Sequence, residues 1–263
     1  MPEKKNRIVV KVGTSTLAYP SGGINFRELE ALTRVLADMM NMGIQVVLVT
    51  SGAIGVGMGK LGMTSRPKDT AGKQAAATVG QCELMYLYDK MFSDYGCVIG
   101  QLLITKGDVE DPERHRNLVN TFDRLFQYHV LPVINENDAV AVDEIVYGDN
   151  DSLSAIVAEL IHADKLIILT DTDGLFDSNP KTNPQARLIT QVDAITSDIA
   201  ALAQHSGSDL GTGGMVTKLQ AAKIATKAGI DTYVINGRPV DNIYRVLEGQ
   251  LVGTWFKAVK NDV

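Results

Sequence analysis

Cysteine, histidine and aromatic residues are scarce: the 263 residues include two Cys, four His and 6% Phe, Trp and Tyr together. Cys82 and Cys97 stand fifteen positions apart, without the paired spacing of a zinc site or a dithiol redox motif. They are expected as buried thiols in a reducing cytoplasm. His115, His129, His162 and His205 form no ligand pair at helical or hairpin spacing, so each is read as structural or solvated. No Gly-x-Ser-x-Gly elbow occurs, which removes the simplest serine-hydrolase reading. No apolar run approaches the roughly 18 residues of a membrane span, and residues 1–7 lead into a strand-like segment without a signal-peptide core. Positive charge is also short: 25 Lys and Arg against 31 Asp and Glu give a formal net charge of −6. That leaves no electrostatic footprint for a nucleic-acid backbone. The expectation is a cytoplasmic protein with neither nucleic acid nor membrane as partner.

What the chain does contain is a core and a rhythm. Hydrophobic residues make up 45% and charged residues 21%, the balance of a globular protein. Short Val- and Ile-rich runs alternate with longer amphipathic stretches, as in βαβ units around a buried parallel sheet. Strands are expected over Ile8–Val12, Ile44–Thr50, Val98–Ile104, Val130–Ile134, Leu166–Thr170 and Thr232–Ile235. Helices are expected over Phe26–Met42, Thr70–Phe92, Pro112–Tyr128, Ser152–His162, Met215–Ala228 and Val240–Leu247. Gly43 and Gly229 stand where left-handed helix ends want glycine, and Asp111 precedes a helix whose first residue is Pro112. Ala139–Tyr147 reads as a hairpin and Asp177–Pro184 as a structured loop. No repeat or linker divides the chain. The fold class is therefore α/β, with three layers and one domain over residues 1–263.

Five segments beyond strand ends could carry chemistry, since open α/β sheets bind ligands there. Lys11 lies in an apolar strand followed by Gly13-Thr14-Ser15, and a buried lysine needs an anionic partner. The segment Thr50-Ser51-Gly52-Ala53 opens a glycine-rich stretch to Gly59. A Walker A loop fails there at Ile54 and Leu61, and the Gly57–Gly62 match to GxGxxG lies too far from the strand for a dinucleotide fold. Asn135-Glu136-Asn137-Asp138, with Gly148-Asp149-Asn150-Asp151, concentrates groups able to bind an ammonium, orient lysines or meet magnesium through oxygen. Thr170-Asp171-Thr172-Asp173-Gly174-Leu175 follows another strand. Gly211–Lys218 opens a helix with a lysine in its first turn, a plausible phosphate cradle.

Taken in order over nearly the whole chain, these motifs resemble the amino acid kinase family, in particular its glutamate-phosphorylating branch. The resemblance implies a three-layer αβα sandwich with a mainly parallel sheet. The amino acid would lie over the N-terminal half and ATP over the C-terminal half, without the C-terminal PUA domain that many members carry. It implies transfer from ATP to the γ-carboxylate of L-glutamate, giving L-glutamyl 5-phosphate, the first step of proline synthesis. It also implies Mg²⁺ held by phosphates and water rather than by direct protein ligation, a homo-oligomer, and proline as feedback inhibitor. The residues implied for catalysis are Lys11, Lys218 and Asp151, with Asp149 as the second candidate for holding the lysines. Those implied for substrate are Ser51, Gly52, Ala53, Asn135, Asp138 and Asn150. Those implied for ATP are Lys11, Gly13, Thr170, Asp171, Thr212, Gly213, Gly214, Met215, Val216, Thr217 and Lys218. The acceptor is an ionised carboxylate, so no general base is required. Acetylglutamate kinase, aspartokinase, uridylate kinase and a non-catalytic amino-acid sensor of the same fold are the alternatives.

Overall fold

A computed structural model of the protein describes residues 6–19, 23–140, 150–205 and 214–259. The chain divides into two compact units, one made of residues 1–11 with 148–263 and the other of residues 12–147. Strand β1 (Arg7–Val12) opens the described chain. There follow α1 (Thr14–Leu17), α2 (Phe26–Asn41), β2 (Gln45–Val49), α3 (Ala53–Lys60), α4 (Thr70–Ser93), β3 (Val98–Ile104), α5 (Lys106–Glu110), α6 (Pro112–Gln127) and β4 (Val130–Glu136). After residue 149 come α7 (Asn150–Leu160), β5 (Lys165–Thr170), β6 (Gln191–Val192), α8 (Ser197–His205), α9 (Met215–Lys227), β7 (Asp231–Asn236), α10 (Asn242–Leu247) and β8 (Thr254–Phe256).

In the unit of residues 12–147, β4 lies between β3 and β2 and is parallel to both, with Val98 opposite Val130 and Val49 opposite Ile134. Such strands, covered on both faces, read as continuous apolar runs: Val46 to Val49 and Leu131 to Ile134 are all buried. α2 packs one face inward through Leu29, Leu32, Leu36 and Met39, the three-and-four spacing of an amphipathic helix. Each fully buried aliphatic side chain contributes roughly 1.5–3 kcal/mol relative to exposure. The helix starts are set by side chains. Asn25 accepts from Glu28 N–H, and Asp111 accepts from Glu113 and Arg114 N–H with Pro112 as first residue. α2 is followed by Gly43 at φ 83°, as its sequence position requires.

In the other unit β5 and β7 are parallel over six residues, from Lys165 opposite Asp231 to Thr170 opposite Asn236. β8 runs antiparallel to β7 and parallel to β6, and β1 neighbours β5. The connection between the antiparallel pair turns at Gly253, φ 67°, where a Cβ would lie 2.2 Å from the Val234 carbonyl oxygen. Only glycine fits that approach.

The six expected strands and six expected helices are all present with limits within two residues of those expected, whereas α3, α5 and α8 were not expected. The glycine-rich stretch after β2 forms a helix. α3 carries Gly55, Gly57 and Gly59, each costing about 1 kcal/mol relative to Ala in a helix. Packing overrides that cost, because a Cβ on Gly57 would stand 1.8 Å from the Ala76 carbonyl oxygen and one on Gly80 would stand 1.8 Å from that of Ala53. The two helices touch backbone to backbone. Cys97 is buried, whereas Cys82 is exposed, on the outer side of α4 next to inward-facing Gln81. His129 and His162 follow helices at φ 54° and 50°, the left-handed position expected for glycine. The expected hairpin lies in its greater part, residues 141–147, outside the described residues. None of the described helices is long and apolar enough to cross a membrane.

Candidate functional site

Within the unit of residues 1–11 and 148–263, three charged side chains meet almost wholly buried. Lys11 on β1 is 3% exposed, Lys218 in the first turn of α9 is 6% exposed, and Asp151 in the first turn of α7 is 0% exposed. Lys11 Nζ is 2.7 Å from Asp151 Oδ1, and Lys218 Nζ is 3.1 Å from Asp151 Oδ2. The Thr217 hydroxyl donates to Asp151 Oδ2 at 2.9 Å. α7 begins at Asn150 rather than Ser152, so Asp151 sits on the helix, where Ser154 donates to its carbonyl. Burying two ammonium groups and one carboxylate is expensive unless they pair. These three groups carry one positive charge more than they cancel, which suits an incoming anion.

The loop after β5 belongs to the same unit. Thr170 is buried and its hydroxyl donates to exposed Asp171 at 3.3 Å. Gly237 N–H bonds to the Thr170 carbonyl, and Asn236 donates to Asp173 at 2.8 Å, so β5 and β7 end together. Gly174 has φ 145°, and Thr254 Oγ1 accepts from Leu175 N–H at 2.8 Å while donating to the Ile189 carbonyl at 2.7 Å. The loop is therefore built on a rigid frame. Thr172 Oγ1 is buried and has no hydrogen-bond partner among the described residues.

In the unit of residues 12–147, two segments leave neighbouring parallel strands at the same end. Thr50 N–H bonds to the Ile134 carbonyl, and the buried Thr50 hydroxyl lies 2.8 Å from that of Tyr88. Burial pushes the Tyr88 phenol well above its ordinary value, and Thr50 opposes that shift. Gly52 takes φ 95° and starts α3 without a side-chain cap, so Ser51, Gly52 and Ala53 present backbone to their surroundings. Thr14 fixes Gly52 from the side: a Cβ there would be 3.4 Å from Thr14 Cγ2. Asn135 donates to Gln81 Oε1 at 2.7 Å and accepts from Glu136 N–H at 3.0 Å. Burial raises the Glu136 carboxyl, and the charge of Asp138 raises it further. Burial also raises Asp138, partly offset by the Arg66 guanidinium.

The amino acid kinase family profile matches residues 6–236 of the chain. The chain belongs to this family. Among the relatives of this amino acid kinase, glutamate 5-kinase of Clostridium tetani is 53% identical over 96% of this chain and 95% of that protein. Glutamate 5-kinase of Caldanaerobacter subterraneus is 48% identical over 98% of this chain and 69% of its own, longer chain. Among solved structures, UMP kinase from Bacillus anthracis superimposes with a TM-score of 0.65 at 18% identity over 97% of both chains. Carbamate kinase from Giardia lamblia, bound to AMP-PNP, does so with 0.68 at 16% identity over 97% of this chain and 99% of that one. The fold is thus the three-layer αβα arrangement of amino acid kinases, with a mainly parallel sheet.

Of the residues singled out in the sequence of this amino acid kinase, Lys11, Asp151, Lys218 and Thr217 form one cluster. Gly214 and Met215 start α9, with the Gly214 carbonyl 2.8 Å from the Thr217 hydroxyl oxygen; Val216 is exposed on its first turn. Gly13 precedes α1 and accepts from Thr16 N–H. Asn150 is buried beside Asp151. Asp149, Thr212 and Gly213 lie outside the described residues. Gln81, Arg66, Asn236 and Thr254 escaped the sequence reading, because each reaches its partner across the fold or from a helix with no local motif.

Proposed function

We propose that this amino acid kinase transfers the γ-phosphoryl group of ATP to the γ-carboxylate of L-glutamate, giving L-glutamyl 5-phosphate and ADP. The observation that carries this reading is the buried Lys11–Asp151–Lys218 cluster, supported by relatives named glutamate 5-kinase at 46–53% identity. Phosphoryl transfer asks an enzyme chiefly to place two oxygens in line and to neutralise charge on the moving group. Lys11 and Lys218 are the two cations for that task, and Asp151 sets their position through one oxygen each. The attacking carboxylate is ionised at neutral pH, so no basic side chain has to take a proton from it.

Thr170, Asp171 and residues Gly214–Lys218 are the nucleotide-side residues in this proposal, with Gly13, Thr212 and Gly213. Ser51, Gly52, Ala53, Asn135 and Asp138 hold the amino acid. Asn150 and Asp149 are assigned on sequence resemblance alone. The Asp138 carboxylate faces the α-ammonium, a group that N-acetylglutamate lacks and whose loss leaves a half-buried acceptor without its partner. No cluster of three or more potential metal ligands occurs among the described residues. In this proposal Mg²⁺ is held by phosphate oxygens and water and would supply charge compensation on ATP. Proline, with the same carboxylate and ammonium on one carbon, is proposed as an unreactive competitor of glutamate. A homo-oligomer is the proposed assembly. The test is ADP release dependent on L-glutamate, with the acyl phosphate trapped by hydroxylamine. Equal turnover of N-acetylglutamate would refute the substrate assignment.

A further inference from the structure

Asn135, in the segment assigned to the amino acid, has its amide orientation fixed by the backbone. Glu136 N–H can only donate, so the Asn135 atom facing it at 3.0 Å is Oδ1. The other Asn135 atom is then the NH2 group, and the Gln81 atom receiving it at 2.7 Å is Oε1. That leaves Gln81 Nε2 as a donor that is sealed from solvent and has no acceptor among the described residues. Gln81 is 8% exposed. An unmet buried donor works against folding, and an unbranched apolar side chain of similar length would fill the same place on α4 without it. What glutamine supplies to the described residues is one oxygen, and that oxygen serves Asn135.

The position of Gln81 is fixed from its chain neighbour as well. Gly80 rests on the Ala53 carbonyl so closely that a Cβ would stand 1.8 Å from it. α4 thus touches both segments assigned to the amino acid, Ser51–Ala53 through Gly80 and Asn135–Asp138 through Gln81. We propose that Gln81 is a positioning residue for the amino-acid substrate, holding the Asn135 amide in the one orientation that also anchors the Glu136 backbone. This deepens the glutamate-kinase reading and rests on it.

The experiment compares steady-state kinetics and thermal unfolding of the full chain with Gln81→Met, Asn135→Ala and the double variant. Gln81→Met should raise KM for glutamate roughly tenfold and leave kcat and KM for ATP within about twofold. Tm should change little, because the unmet Gln81 Nε2 donor disappears while the Asn135 amide loses the acceptor it now has. In the Asn135→Ala background the Gln81→Met change should add nothing, since both act through one contact. Gln81→Glu guards against a folding failure of Gln81→Met. Its buried carboxyl stays protonated and keeps a carbonyl oxygen for Asn135, so KM for glutamate should remain within about threefold of the parent. A glutamate KM unchanged in Gln81→Met, effects that multiply in the double variant, or equal losses in Gln81→Met and Gln81→Glu would each overturn the proposal. A parent chain without glutamate-dependent ADP release would instead overturn the functional reading, and this proposal with it.

Discussion

Lys218→Met separates the role of the lysine cluster in chemistry from its role in folding. In the parent, Asp151 receives Lys11 at 2.7 Å, Lys218 at 3.1 Å and the Thr217 hydroxyl at 2.9 Å. At an effective dielectric of about 20, each lysine contact has a gross Coulomb energy of roughly 5–6 kcal/mol, much of it offset by desolvation. Removing Lys218 leaves the carboxylate paired with Lys11 and bonded to Thr217. The loss is then that of one charged hydrogen bond, about 2 kcal/mol, which lowers Tm by roughly 4–8 °C in a chain of this size. The kinetic loss should be larger. A preorganised donor to developing charge is worth about 10²–10³ in kcat, so Lys218→Met should keep its fold and lose at least about 10²-fold in ADP release.

Asp151→Ala should behave in the opposite order. It removes the shared carboxylate from two buried ammonium groups at once, at about 3–5 kcal/mol for each broken pair. The sum rivals the whole stability of a typical domain, about 5–15 kcal/mol. The variant should therefore lose cooperative unfolding before its kinetics can be read. Calorimetry for Tm and coupled ADP release for kcat measure the two effects on the same samples. Lys218→Met retaining kcat within about threefold, or Asp151→Ala as stable as the parent, would refute the reasoning.

Gly80→Ala forces a Cβ to 1.8 Å from the Ala53 carbonyl oxygen; it should cost about 3 kcal/mol by overpacking and raise KM for glutamate, whereas Gly43→Ala, with open space around it, should cost only about 1–2 kcal/mol for its positive φ. Thermal unfolding of the two variants side by side checks the contrast. Asp138→Asn should raise Tm at neutral pH. The raised folded pKa of Asp138 means that ionisation opposes folding above that pKa, and that this penalty fades as pH falls toward the unfolded value. The advantage of Asn should therefore shrink on acidification, while KM for glutamate in the parent climbs as Asp138 protonates; a Tm difference independent of pH would contradict this. Thr254→Val removes the acceptor of Leu175 N–H and the donor to Ile189. About 1–3 kcal/mol and a higher KM for ATP are expected, and an unchanged Tm would show that the Thr170–Leu175 loop does not depend on this frame.

The long elements were legible because their signals are local. β5 carries the buried apolar run Leu166–Leu169 and β7 the shorter run Tyr233–Ile235, and α6 announces itself by Asp111 and Pro112. α3 was not legible, since three glycines in eight residues argue against a helix on propensity alone. The compensation comes from Gly80, more than twenty residues away, and only the folded chain shows that Gly57 and Gly80 lie face to face. α5 escaped for a different reason: its start is a Thr105–Asp108 capping box in a helix too short for periodicity to register.

The candidate site divides in the same way. Lys11 stood out as a charge inside an apolar strand, and that anomaly alone demanded an anionic partner. The sequence offered two aspartates for it, and the geometry puts Asp151 in place with one oxygen for each lysine. Gln81 had no such anomaly, for a glutamine within a helix reads as surface until its neighbours are known. What marks it is an imbalance of donors and acceptors, a property of the packed interior rather than of any window of sequence. Residues that bear charge could thus be found by asking what their burial would cost. Those that orient them become visible only when each buried N–H and oxygen is matched with its partner.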